Sequence, residues 1–343
     1  MMRFCVYVLG LMLLCGCDVH QWPESWEPEP EPGQFGMATL RLHYEPDMQV
    51  WNHLYDPKLN EIEEVGLAGE YTNVVSSGVM DIFVNVYRHG NTEKSVAEYT
   101  FTHDVTDGYD CELELPLPLG TYEVAVWSHL RKHGEAPHFY EPNNFRGIYI
   151  ISNNYDGNTN YRDAFRGRAD LDLMTVTNTG PATVYDVEMH RPMGKFELVT
   201  IDLSEFLDHE TERRHLMTRA NAEDYRVVIS YPNYYPNGYN LLSDDISAGS
   251  GYQFETRMIV TGESEASMGF DYVFIRKGVQ VPVQVRVQVY DFNGNIVAST
   301  QVIDIPIQRD HHTVLRGAFL SMNTGGGVGI NPDYDGDHNV VFH

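Results

Sequence analysis

Basic residues are scarce in this sequence: 23 Lys and Arg stand against 49 Asp and Glu, a formal charge of −26 over 343 residues. Nucleic-acid backbones demand clustered cations, so nucleic acid is excluded as a partner. Anionic lipid head groups would repel such a chain, which excludes a polybasic membrane anchor. Four cysteines are too few for a disulfide scaffold. Catalytic signatures are missing as well. There is no glycine-x-serine-x-glycine elbow and no histidine-glutamate-x-x-histidine zinc helix. His209 and His215 do not share the i, i+4 face of such a helix, and Cys17 with Cys111 cannot build a cysteine zinc cage. Gly325-Gly326-Gly327 lacks the Lys-Ser/Thr of a phosphate loop and reads as a hinge. No carboxylate pair or nucleophile–base set stands out. The expectation is a protein without catalysis, cofactor or metal.

What is present points to a folded, β-rich chain. Hydrophobic residues make up 42%, too many for a disordered state, and 22 Tyr and 15 Phe accompany 29 Gly and 17 Pro. The length suggests about two domains of roughly 150 residues each.

Residues 1–17, MMRFCVYVLGLMLLCGC, form a secretory address: Arg3, then an apolar run from Phe4 to Leu14. That run is shorter than the roughly 20 residues of a membrane-spanning helix. Its end, Leu14-Cys15-Gly16-Cys17, resembles the lipobox of bacterial lipoproteins, which implies cleavage before Cys17 and acylation of that residue. Cleavage takes the formal charge from −26 to −27, because it removes Arg3 and no acid. Cys111 is then without an intramolecular partner, and we expect a small buried side chain there. Residues 18–36 carry Pro23, Pro28, Pro30 and Pro32 interleaved with Glu, an acidic linker that favours extended polyproline II at about 3.1 Å per residue. Asp18 directly after Cys17 resembles the surface-export signals of lipoproteins in Gram-negative anaerobes. The expected location is the outer membrane, lipid-anchored and surface-exposed.

From Met37 the texture changes to alternation. Ala38, Leu40, Leu42 and Tyr44 share one face of a strand; Ile82, Val84 and Val86 alternate with Phe83, Asn85 and Tyr87. Cys111, Leu113 and Leu115 oppose Glu112 and Glu114. Leu117-Pro118-Leu119-Gly120 reads as a turn into a strand with Tyr122, Val124 and Val126 on one face, a pattern that recurs in transthyretin-like and immunoglobulin-like sandwiches. A second series starts at Arg191-Pro192, which would open a fresh edge strand because Pro tolerates the missing donor there. It continues with residues 194–203, 225–231, 271–276, 279–290 and 296–307, with an Asn293-Gly294 turn before the last. Residues 203–217 hold the one convincing helical stretch. The fold class predicted is all-β: two tandem antiparallel β-sandwiches over 37–190 and 191–323, followed by a Gly-rich hinge and acidic tail at 324–343.

Isolated histidines such as His133, His138 and His190 read as solvated loop residues. Asn331-Pro332-Asp333-Tyr334-Asp335-Gly336-Asp337 reads either as an acidic turn before a final strand, Val340 to Phe342, or as the start of a calcium loop that lacks its distal Glu. The dense aromatic run Tyr231, Tyr234, Tyr235 and Tyr239 reads either as a protein or glycan contact or as a loop packing its own rings.

Taken in order, Cys17-Asp18-Val19-His20, Arg191-Pro192-Met193-Gly194-Lys195-Phe196-Glu197, Gly269-Phe270-Asp271-Tyr272-Val273-Phe274, Ile305 to Thr313 with Arg316-Gly317, and the Asp-Gly tail resemble the FimB-type fimbrial anchor family of type V pili. The resemblance runs through the whole chain. It implies two transthyretin-like sandwiches on an outer-membrane lipoprotein that anchors a pilus, with fimbrial shaft or accessory subunits as partners. Those subunits join by strand exchange, so contact would be β-augmentation: a partner strand satisfies an open edge. Val340, Val341 and Phe342, with Tyr231, Tyr234, Tyr235 and Tyr239, are the first candidates for it. Gly194 departs from the family, where many relatives carry a larger residue. The motifs do not separate anchor, terminator and tip roles. The alternative is a glycan-binding surface lipoprotein beside an outer-membrane importer, using Trp51, Trp127 and the Tyr231–Tyr239 run as an aromatic platform.

Overall fold

The computed structural model describes residues 35–136, 139–151, 155–174 and 182–321. Its first half carries β1 (Phe35–Tyr44), β2 (Asp47–Asp56), β3 (Glu61–Thr72), β4 (Val79–Arg88), β5 (Ala97–Asp104), β6 (Cys111–Pro118), β7 (Thr121–Arg131), β8 (Tyr140–Glu141), β9 (Ile148–Ile150), β10 (Ala164–Asp172) and β11 (Thr183–Met189). The second half carries β12 (Met193–Thr200), helix α1 (Leu203–Arg213), β13 (Arg226–Ser230), β14 (Tyr235–Asn240), β15 (Asp245–Gly249), β16 (Gln253–Arg257), β17 (Ile259–Val260) and β18 (Ala266–Phe274). It ends with β19 (Val281–Tyr290), β20 (Ile296–Ser299), β21 (Ile303–Ile307) and β22 (His311–Gly317). Both halves are all-β sandwich architecture. Among the described residues no helix is long and apolar enough to cross a membrane.

The first sandwich packs sheet β11-β1-β6 against sheet β10-β7-β4-β5. The alternation read from the sequence sets its core: Ala38, Leu40, Leu42 and Tyr44 meet Ile82, Val84, Val86, Val124 and Val126. At the Leu117–Gly120 turn the Tyr122 hydroxyl donates to the Pro118 carbonyl at 2.8 Å. The other face of β4 and β7 is covered too, since Tyr87, Ala125 and Trp127 belong to the second core. A strand buried on both faces loses polar alternation, and β7 reads as nearly continuous apolar sequence for that reason.

The second sandwich packs the six-stranded sheet β17-β18-β12-β22-β2-β3 against β16-β13-β19-β20, with β21 also paired to β19. The segment expected as one strand over 296–307 is therefore two. Between them the Thr300 hydroxyl accepts the Val287 N–H at 3.0 Å. Helix α1 is short and peripheral as expected, with Phe206 set edge-on to Tyr225 at 5.0 Å.

The boundary expected near residue 190 does not separate two strand sets. β2 and β3, from the first half, complete the second sandwich: β2 runs parallel to β22, with Asn52 opposite Val314. In turn β9 pairs with β14 in a small sheet, β15-β14-β9-β8. Periodicity fixes which face of a strand is buried but carries no information about its partner, and parallel partners are always distant in sequence.

Candidate docking arm and the junction that carries it

Of the tyrosines offered as a contact surface, Tyr231, Tyr235 and Tyr239 are buried and only Tyr234, 77% exposed, faces solvent. They are core residues, which corrects the contact reading. Their phenols need partners out of water, and the fold supplies them from far along the chain. The Asp271 carboxylate accepts hydrogen bonds from Tyr231 and, at 2.6 Å, from Tyr155, while Arg162 Nη1 donates to it at 2.7 Å. Tyr235 donates to the Tyr272 carbonyl at 2.7 Å. Burial opposes the charge on Arg162 and is the largest single influence, but Asp271 and the neighbouring Tyr155, Tyr235 and Tyr140 together raise its pKa above the ordinary value. Trp51 and Trp127 are buried as well. The aromatic platform required for glycan capture is thus absent at every residue named for it except Tyr234.

Arg191, expected at an edge, is wholly buried, and β12 behind it is an interior strand between β18 and β22. Pro192 contributes its carbonyl, which accepts the Ile275 N–H at 3.0 Å, so its missing donor is immaterial. The Arg191 guanidinium donates to Asp163 through Nε and Nη2 at 2.8 Å each, and to the carbonyls of Glu45 at 2.9 Å and Pro46 at 2.7 Å. Asn73 Nδ2 donates to the same Asp163 at 2.7 Å. These residues sit where the chain crosses between sheets: between the sandwiches after β1, after β3 and after β11, and from the small sheet before β10. Four crossings meet at one ion pair.

Three of the segments that carried the family resemblance are neighbours in space, while Ile305–Ile307 lies on β21, and Cys17–His20 and the Asp-Gly tail lie outside the described residues. Residues 193–200, 266–274 and 311–317 are the adjacent strands β12, β18 and β22. Within them Lys195 lies buried in a cage of Tyr71, Phe270 and Tyr272, its Nζ 4.1 Å from the Phe270 ring centre, and donates to Asn160 Oδ1 at 3.1 Å. Desolvation pulls its amine down to about 8. Gly194 is explained by close approach: a Cβ there would stand 2.3 Å from the Gln308 carbonyl oxygen.

His133 and His190 are partly exposed and each faces a carboxylate, Asp104 at 3.4 Å and Glu45 at 2.9 Å. Cys111 is half-buried, and burial pushes its thiol up to about 12. Among the described residues no His, Cys, Asp and Glu group could hold a metal ion. Cys17, His138, the Gly325–Gly327 hinge, the Asp333–Asp337 turn and Val340, Val341 and Phe342 lie outside the described residues.

The feature that sequence reasoning missed is the hairpin β2–β3. At 12 residues, β3 is the longest strand with a neighbour on one side only among the described residues. Its large exposed apolar residues are Val65 and Leu67, joined by Leu59 in the turn (65% exposed) and Leu54 on β2. Gly66 and Gly69, at φ +124° and +80°, mark two bulges that break the register with β2. Bulges and glutamates blunt an edge against indiscriminate pairing, leaving Glu61–Glu64 as the longest stretch in regular register. Beside that stretch lies a cleft of about 460 Å³ lined by Leu54, Ile62, Ile201, Ala318, Asp56, Glu61 and Glu63. The signal was there: an apolar set at 62, 65 and 67 that fits no strict period, with glycines at 66 and 69.

Residues 71–343 match the model of a family described as Family of unknown function (DUF6562). The chain belongs to that family. A search of curated proteins returns no match. Among solved structures, this DUF6562 chain is similar to a candidate cell adhesion protein of Bacteroides eggerthii, with 11% identity over 85% of this chain and 90% of that one and a TM-score of 0.43. It is similar to the fimbrial anchor protein Mfa2 of Porphyromonas gingivalis, with 8% identity, 78% and 83% coverage and a TM-score of 0.37. A fimbrial assembly protein of Parabacteroides distasonis gives 9% identity, 82% and 90% coverage and 0.39. Likeness at this level transfers neither residue roles nor partners.

Proposed function

We propose that this chain is a lipid-anchored outer-membrane protein, exposed at the cell surface, that holds a fimbrial shaft or accessory subunit through a strand-mediated contact and catalyses nothing. The observation that carries the reading is the β2–β3 arm, a long strand open on one side with apolar residues in solvent. Apolar side chains gathered on one exposed segment mark an interaction surface, and a free strand edge is the element that β-augmentation uses. The lipobox ending at Cys17 and the acidic spacer at 18–36 supply a membrane end and reach. The ordered motif resemblance supports the fimbrial class, and those of its motifs on β12, β18 and β22 share the sheet that carries the arm.

Deleting the gene should release fibres from cells or alter their length. Cys17→Ala should stop acyl labelling and shed fibre with the protein still attached. Fibres that remain cell-bound at normal length in the deletion strain would refute the reading.

A further inference from the structure

Strand alternation sets Glu61 and Glu63 on one face of β3 and Ile62 on the other, where it packs against the core. Their partners on β2 are Asp56, Tyr55 and Leu54, so Glu61 and Glu63 share the face of Leu54. A strand added to the free edge here would place its successive residues opposite Glu61, Ile62 and Glu63. The side chains opposite the two glutamates meet carboxylates, and the one between them meets Ile62 and Tyr55. Among the described residues, the one arginine lining the cleft, Arg316, is already paired with Glu265 at 2.9 Å. Over residues 47–72 the arm carries six acids and a single Lys, Lys58 in the turn.

We propose that this edge recognises a partner strand bearing a cation–apolar–cation triplet, with Lys or Arg opposite Glu61 and Glu63 and an aliphatic residue over Ile62. The proposal rests on the reading above and names the chemistry of the subunit held. Opposite charges facing each other across a strand pair are favourable and like charges are not. That rule excludes the nearest alternatives. The chain's own C-terminal segment, 322–343, has Asp333, Asp335 and Asp337 and neither Lys nor Arg. A second copy fails too, because nowhere in the sequence do two Lys or Arg residues flank one aliphatic or aromatic residue. The occupant is therefore a different protein, and the acidity of the edge selects against the chain's own strands.

The test uses the full purified chain in detergent and four fluorescent peptides of equal length: centres of Lys-Val-Lys, Ser-Val-Ser and Glu-Val-Glu, and the chain's own residues 332–343. Fluorescence anisotropy should rank Lys-Val-Lys about tenfold tighter than the neutral peptide, as two exposed cross-strand pairs allow. The preference should fade with added salt. In Glu61→Lys/Glu63→Lys, which alters only exposed side chains, the order should invert in favour of Glu-Val-Glu. Equal affinity for all four peptides, no binding of any, or an order unchanged in the double variant would overturn the proposal. Fibre retention separates the two readings. If the peptide order holds and inverts as stated but the double variant keeps its fibres, the docking chemistry stands and the fimbrial role falls. If Leu54→Asp sheds fibres while the peptides show no charge preference, the fimbrial role stands and this proposal falls.

Discussion

Arg191 and Asp163, 28 residues apart, form a buried ion pair at 2.8 Å on which four chain crossings between sheets converge. The guanidinium also holds the Glu45 and Pro46 carbonyls, and the carboxylate holds Asn73. The arm β2–β3 leaves and returns through two of those crossings, so the pair fixes the base of the arm against the rest of the molecule.

Removing one partner leaves the other charged and buried. Arg191→Met should therefore cost about 3–5 kcal/mol, read as a lower urea midpoint. Replacing both, Arg191→Met with Asp163→Leu, should recover part of the loss. Equal loss in single and double variants would show that the backbone carbonyl bonds, rather than the ion pair, carry the stability.

Gly194→Ala should destabilise by about 1–3 kcal/mol, the range for overpacking a tight core. The atom a Cβ would meet is a main-chain oxygen of Gln308, which cannot rotate away. Thermal unfolding unchanged in the variant would contradict the close approach of β12 to residues 307–308.

How much of this was legible in the sequence depended on whether a signal was local. The inward faces of β1 and β6 followed from period-two alternation, because each buries one side against the opposing sheet, whereas β4 and β7 bury both faces and blur it. The place of β2 and β3 did not, since β2 is held by a parallel partner more than 250 residues away. Arg191 and the tyrosines misled for one physical reason. A polar group is buried only when its partner is supplied, and the partners of Tyr231 and Arg191, Asp271 and Asp163, are 40 and 28 positions distant. The arm was missed because its bulges erase the alternation by which strands are recognised.

His43 bridges two strands of the first sandwich, its ring nitrogens 3.1 Å from Asp186 on β11 and 3.1 Å from Asp110 just before β6. The hydrogen bonds to Asp186 and Asp110 raise its native value above the ordinary one. A raised native value means stability that is complete below the unfolded imidazole value of about 6.5 and is lost as pH rises through the native one. The melting temperature of wild type minus that of His43→Gln should therefore shrink on going from mildly acid to mildly alkaline buffer. A difference that grows with pH would contradict the bridge, as would an NMR titration midpoint at or below the ordinary value.

The central claim is that the β2–β3 arm touches a fimbrial subunit on the cell. A photo-crosslinking amino acid placed at Leu67, 63% exposed on β3, tests it in living cells, with the fully exposed Met217 as control position. The account predicts a covalent adduct to a fimbrial subunit from Leu67 and none from Met217. The absence of any adduct from Leu67, or the same adduct from both positions, would contradict it.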